Sequence, residues 1–362
     1  AAGKGSLFAP ANITNLILQN SYVVILAVGM LLCILTGGNI DLSVGSVVAL
    51  VGAIAGVMIV NNKMNVYLTI AVCLIMGILI GAWQGFWIAY VRIPAFIVTL
   101  AGMMLWRGLA LIVLDGLTIS PFPEDYLKYF SSFLPNTADN KGLVFGVTIA
   151  VGAILCAGYV VSQLIERGKK APKNYELEPA GMLWGRLAVI CVVAMALSFL
   201  LGKNKGIPVV LILLGVIVLV YSYYTQNTVP GRYLYAMGGN EKAAKLSGIN
   251  TNRTLFFAYT NMGFLSAVAA LVCIARFNSA APSAGTNYEL DAIGACYIGG
   301  ASAYGGTGTI GGAVIGAIFM GVLNNGMSIL GIDSNWQRAV KGLVLLAAVV
   351  FDVLSKKRSA KA

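Results

Sequence analysis

Residues 36–46 read TGGNIDLSVGS and place Asn39 and Asp41 within a long, almost unbroken run of hydrocarbon side chains. The Gly37–Gly38 pair ends the preceding helical pattern, because glycine adopts backbone conformations that a helix interior does not need. A carboxylate left unpaired at the middle of a bilayer costs about 3 kcal/mol or more, so Asp41 has to face protein, water or the interface. Two uses satisfy that demand. The carboxylate can cap the exposed N–H groups of the helix that restarts at LSVGS. Alternatively, a helix broken at membrane depth can line a solute path, since such a break is tolerated only where protein or a wet cavity receives the freed backbone groups.

Composition sets the class. Of 362 residues, 59% are hydrophobic and only 10% charged, with 43 glycines, too little polar surface to cover a water-soluble globule. The expected fold is all-α and polytopic, about ten transmembrane helices including broken or half helices, in one integral domain over residues 1–362. The formal charge of +11 is scattered at loop edges with no basic, aromatic-interleaved helix, which favours lipid headgroups over nucleic acid. There is no histidine, no paired-carboxylate cluster and no GxxxxGK[ST] loop, so no metal site, no catalytic residue and no bound nucleotide is expected on this chain. The six cysteines sit singly in apolar runs and are expected to be free thiols.

Along the chain, a short amphipathic entry, NITNLILQN, precedes expected spans near 19–36, 42–60, 66–90 and 96–116. Residues 117–142 read as a long surface loop, followed by spans near 143–165, 182–201 and 207–224. Residues 225–253 are polar and contain a short helix, NEKAAKLSG, with Asn240 as N-cap and Gly248 as its stop. A span near 254–275 leads to ELDAIGACYIGG, too short to cross alone and hence a half-helix with a loop, before spans near 310–329 and 337–354. The small-residue spacings in VGSVVALVGAIAGV and TGTIGGAVIGAIFMGV allow close helix approach and mark an inner wall. Arg107 and Arg186 are read as snorkelling to an interface, and Glu289 and Asp291 as acids complementing a helix N-terminus. An echo between Gln84-Gly85 and Asn325-Gly326, each followed by a break and a new helix, is compatible with duplicated halves.

The basic residues of three segments, Arg167 to Lys173, Arg232 to Arg253 and Lys356 to Lys361, fall on one side by span parity, which makes that side and the C-terminus cytoplasmic. The 117–142 loop then faces outward. The same count leaves the N-terminus outside, which one further upstream span would correct.

The stretches GGNIDLSVGS, GAWQGFWIAYVRIPAFIVTLAGMMLWRG, YAMGGNEKAAKLSGIN, PSAGTNYELDAIGACYIGG and WQRAVKGLVLLAAVVFD resemble the permeases of bacterial ABC sugar importers of the ribose, galactose and xylose class. The likeness covers nearly the whole chain and is greatest to xylose and multiple-monosaccharide permeases. It implies a homodimer in the inner membrane, a periplasmic sugar-binding protein, and a separate cytosolic ATPase that carries ATP and Mg. It also implies that residues 225–253 form a coupling loop in which Glu241, Ala243, Ala244 and Gly248 meet the ATPase, although this chain reads Glu-Lys-Ala-Ala rather than the Glu-Ala-Ala of many importers. The expected substrate path is weakly binding and lined by Asn39, Asp41, Ser43, Gln84, Asn324 and Asn325, with Trp336 able to stack on a sugar or to sit in an interfacial belt. The alternative is an ion-gradient-driven secondary transporter, for which Asp41 is the titratable candidate.

Overall fold

In a hydrocarbon solvent a backbone can satisfy its N–H and C=O groups only within its own segment, so each apolar run becomes a helix. The computed structural model describes residues 8–135, 140–170 and 179–359. Lys173 and Lys361, named in the charge reading, and the first seven residues lie outside these. The helices are α1 Pro10–Leu35, α2 Val44–Gly56 continued by a π-helical turn Val57–Asn61, α3 Val66–Ala89, α4 Ala95–Leu114, α5 Glu124–Phe130, α6 Lys141–Lys170 and α7 Ala180–Gly202. They continue as α8 Val209–Asn227, α9 Val229–Gly239, α10 Glu241–Leu246, α11 Thr251–Phe277, α12 Tyr288–Ile298, α13 Ile310–Ile329 and α14 Ser334–Ser359. Among the described residues nine helices are long and apolar enough to cross a membrane, counting α2 with its π-helical turn. Helix α12 is the expected half-helix, and α14 carries Lys341 and Asp352 within its apolar length.

Two boundaries differ from the sequence reading. NITNLILQN is not a separate entry but the first turns of α1, because Pro10 is tolerated at a helix start and nothing breaks the pattern before Gly37. Thr14 Oγ1 donates back to Pro10 O at 3.0 Å, which ties that first turn together. The polar stretch 225–253 is largely helical, since α8 persists to Asn227 and α9 and α10 follow almost without interruption.

The contacts divide the chain into two compact units. The smaller comprises the start of α1 together with Ser132–Val209. It is built on the α6–α7 hairpin and closed by a two-residue antiparallel pairing of β1 Phe133–Leu134 with β2 Ile207–Pro208. Thr148, Leu183, Leu187 and Leu201 are buried in it, and Asn204 Nδ2 donates to Thr14 Oγ1 at 2.9 Å. Arg186 donates to Gln163 of the facing helix at 3.1 Å, a local amide partner for a charge in the apolar span.

The larger unit, Leu18–Ser131 with Val210 onward, holds α1, α2 and α11 as its most buried helices. Helix α3 lies along α11 and α4 along α2, and both leave a large apolar face exposed, as lipid-facing helices do. The α3–α11 seam is backbone to backbone: a Cβ on Gly263 would stand 2.2 Å from Gly77 O and 2.7 Å from Gly81 Cα. This small-residue stripe was not among those singled out in the sequence, whereas the α13 stripe packs as expected, with Gly312 and Gly316 against Gly299 and Ala295 of the half-helix segment.

Gly263→Val would force this seam apart, and overpacking of that kind costs about 1–3 kcal/mol or more. The variant should melt several degrees below wild type in detergent, while Gly108→Ala, whose Cβ would meet nothing within 4 Å, should not change. Equal melting temperatures for Gly263→Val and wild type would contradict the close approach.

Candidate functional site

Helix α1 stops at Leu35 and α2 starts at Val44, so the stretch between them must find partners for its main chain outside a helix. Several of them are taken up by protein. Gly38 N donates to Ile34 O at 2.8 Å, and Leu35 O accepts from Gly306 N at 3.1 Å. Ile40 O accepts from the hydroxyl of Tyr259, a fully buried side chain of α11, at 3.4 Å. Gly38 has φ +75°, and a Cβ there would lie 2.0 Å from Ala303 O, so both the turn and the contact require glycine. The break after α1 is thus seated on a second break, the 299–309 loop that follows α12. That loop is in turn held by α14, with Ala303 N donating to Asp352 Oδ2 at 3.1 Å.

Asp41, only 3% exposed, ends this fracture. Its Oδ1 accepts from Ser43 N at 2.8 Å and from Ser43 Oγ at 2.7 Å. The N-cap position of α2 is Ser43, whose own side chain makes no cap bond, and the carboxylate two residues earlier takes the N–H and hydroxyl of that N-cap residue rather than the N–H groups of the first turn. From α3, Gln84 Nε2 donates to Asp41 Oδ2 at 3.2 Å and to Ser43 Oγ at 3.3 Å, while its Oε1 accepts from Trp106 Nε1 of α4 at 3.0 Å. This amide orientation is the one that satisfies both of its polar atoms. Gly102 leaves the room, since a Cβ there would crowd Gln84, Trp106 and Ser43. Trp106 stacks edge-on against Trp83, with ring centroids 5.4 Å apart.

Of the six residues expected in a path, Asp41, Ser43 and Gln84 therefore form one hydrogen-bonded cluster. Asn39 is beside it, half-buried, with Nδ2 turned to Thr36 O and Oγ1, both at 3.3 Å. Asn324 and Asn325 lie on α13, a helix that packs on α12, and they do not join the cluster. Asn324 Oδ1 is buried with no hydrogen-bond donor. Trp106 was missed because a tryptophan in an apolar helix is an ordinary packing residue until its N–H is seen to meet a buried amide. Trp336 is 70% exposed.

The charges read as structural are more deeply engaged than expected. Asp291, 1% exposed on α12, pairs with Lys341 of α14 at 2.8 Å and accepts from Tyr22 of α1 at 3.1 Å. Removing either partner of such a buried pair would leave an uncompensated charge, at a cost of about 3–5 kcal/mol. Arg107 does not snorkel: Nη1 donates to the carbonyls of Ala284 at 2.5 Å and Pro282 at 3.3 Å, holding the loop before α12.

On the face where α9 and α10 lie, Asn240 caps α10 through Ala243 N at 3.0 Å, and Gly248 ends it with φ +85°. Ala244 is 5% exposed and packs inward, whereas Leu246 is 90% exposed. Glu241 pairs with Arg92 of the α3–α4 turn at 2.5 Å. Of the four expected coupling residues, Ala243 and Gly248 are exposed, Glu241 is shared with Arg92, and Ala244 faces the protein. The helix is one turn and a half long and needs one small side chain beneath it to lie flat.

Comparison with known proteins is decisive at this point, because the model of the family described as "Branched-chain amino acid transport system / permease component" matches residues 12–349. The chain belongs to this permease family. The permease is 38% identical over 355 residues to the xylose transport system permease protein XylH of Escherichia coli (strain K12), covering 98% of this chain and 88% of that one. It is 37% identical over 357 residues to XylH of Haemophilus influenzae, covering 99% and 92%, and 36% identical over 347 residues to the ribose import permease protein RbsC of E. coli, covering 96% and 87%. No solved structure matches. Family and span count together make the permease a multi-pass inner-membrane protein.

In the permease, Asp41→Ala would leave Ser43 N and its hydroxyl without their acceptor, a loss of about 1–3 kcal/mol for buried donors. Asp41→Asn keeps one oxygen for Ser43 N and should fall between wild type and alanine. Thermal unfolding in detergent checks the order, and an alanine variant as stable as wild type would contradict the bonding described.

Proposed function

We propose that this chain is the membrane subunit of an ABC importer for monosaccharides, pentose or hexose, and forms their translocation path. Support for the substrate class comes from the xylose and ribose relatives and from the chemistry at the fracture. Amide, hydroxyl and indole N–H groups surround it, and the one carboxylate is engaged by Ser43 and Gln84, a setting suited to a neutral polyhydroxyl solute. Asn39, Asp41, Ser43 and Gln84 form the wall of the path, with Asn324 and Asn325 contributing from α13.

The face bearing α9 and α10 is cytoplasmic, as is the C-terminus, and α10 docks in a cleft of a separate ATPase. ATP and Mg bind and react on that partner; this chain does no covalent chemistry. A periplasmic binding protein delivers the sugar to the opposite face, where the 117–142 loop lies, and two copies of the chain form the pore. The observation that carries the reading is α10 itself, a capped helix presenting Leu246 to solvent on its outer side and anchored by Ala244 on its inner side. The alternative of an ion-gradient transporter requires a carboxylate free to exchange partners, and Asp41 is held from three directions.

Proteoliposomes containing this chain, its ATPase and its binding protein should take up xylose or ribose only with ATP. Leu246→Asp, at a site 90% exposed, should leave folding intact and lower uptake at least tenfold. Gly248→Val, strained at φ +85°, should act in the same direction. Full uptake by both variants, or uptake that needs no ATPase and collapses with an uncoupler, would overturn the reading.

A further inference from the structure

The turn between α3 and α4, Tyr90 to Pro94, places Arg92 at φ +65°, a left-handed conformation uncommon for a residue with a side chain. The guanidinium reaches away from its own hairpin. Nη1 donates to Glu241 Oε1 at 2.5 Å, on the first turn of α10. Nη2 donates to Thr251 Oγ1 at 3.2 Å and to Asn252 Oδ1, both on the first turn of α11. One planar fork thus joins the turn to two successive helix starts, and its donors are fixed relative to one another as those of a lysine would not be.

The hairpin ends elsewhere in the polar cluster. Gln84 lies five residues, roughly 8 Å of helical rise, before the end of α3 at Ala89, and Trp106 lies on the α4 arm. These are the residues that grip Asp41 and Ser43 at the break. The segment formed by α3, its turn and α4 therefore has the exposed helix α10 at one end and the fracture on its flank, with α3 seated on α11 and α4 on α2. The Arg92–Glu241 pair is about two-fifths exposed on both sides, and exposed pairs of this kind add little to stability. A conformation of positive φ held in place by three side-chain acceptors is thus poorly explained by folding alone.

We propose that Arg92 is a positioning residue that ties the α3–α4 hairpin to α10, so that movement of α10 shifts Gln84 and Trp106 against the Asp41 break. This rests on the importer reading above and adds the route by which the partner's motion reaches the path. Coupling carried through contiguous side chains and rigid helices is testable by breaking one link while leaving both ends intact.

The test uses the assembled transporter in liposomes and compares ATP hydrolysis with sugar uptake. Arg92→Ala should co-purify with the ATPase and keep hydrolysis stimulated by the binding protein within twofold of wild type, while uptake falls at least tenfold. Arg92→Lys, which cannot span three acceptors, should give an intermediate uptake. Arg92→Glu combined with Glu241→Arg should recover more uptake than Arg92→Glu alone. Uptake by Arg92→Ala within twofold of wild type would overturn the proposal. So would a parallel loss of hydrolysis and ATPase binding, because Arg92 would then only shape the docking helix. A wild-type assembly without ATP-driven uptake would instead sink the importer reading itself.

Discussion

A main chain that leaves the helix inside lipid must have its freed N–H and C=O groups received by protein or by a wet cavity, and the contacts between Leu35 and Val44 go a long way to meeting that demand. The partners come from four directions: the preceding turn, the 299–309 loop, Tyr259 of α11, and the Asp41 carboxylate. Each unsatisfied group at this depth would cost several kcal/mol, so the break persists only because it is seated on another break. Gly38 against Ala303 is the point of seating, and α14 reaches the same loop through Asp352.

The same constraint explains the neighbouring polar chemistry. Once Asp41 is committed to Ser43, its second oxygen needs a donor, and Gln84 supplies one while passing its own oxygen to Trp106. Three helices and a break are thereby joined by a few directional bonds where dispersion alone would allow sliding. Helices α3 and α4 expose most of their surface to lipid but bring their two polar side chains inward at one level, and at the other end of the hairpin Arg92 meets α10 and α11. The Asp41 cluster and α10 are therefore joined through the two arms and the turn of one hairpin.

Much of this was legible in the sequence, for physical reasons. Hydrocarbon runs show spans because lipid leaves the backbone no other choice, and the Gly-Gly-Asn-Ile-Asp stretch showed the break because glycines followed by a capping acid have few other uses. Asn240 and Gly248 bounded α10 by ordinary capping rules. What stayed hidden depends on contacts distant along the chain. Gly77, Gly81 and Gly263 are unremarkable apart and form a seam only together; Asp291 and Lys341 become a pair only when α12 meets α14. The snorkelling expected of Arg107 yielded to a nearer solution, the loop carbonyls of residues 282 and 284. Asn324 and Asn325 looked equivalent to Gln84 by local pattern, and only the packing of α13 on α12 distinguishes them.

The claim underlying the whole account is that the break after α1 borders a wet passage whose exposure follows the state of the ATPase. A variant with its six cysteines removed and Asn39→Cys introduced can be labelled in the assembled transporter with a membrane-impermeant thiol reagent, with and without ATP. The account predicts labelling in one nucleotide state and clear protection in the other. Labelling that is absent in every state, or identical in all of them, would contradict it.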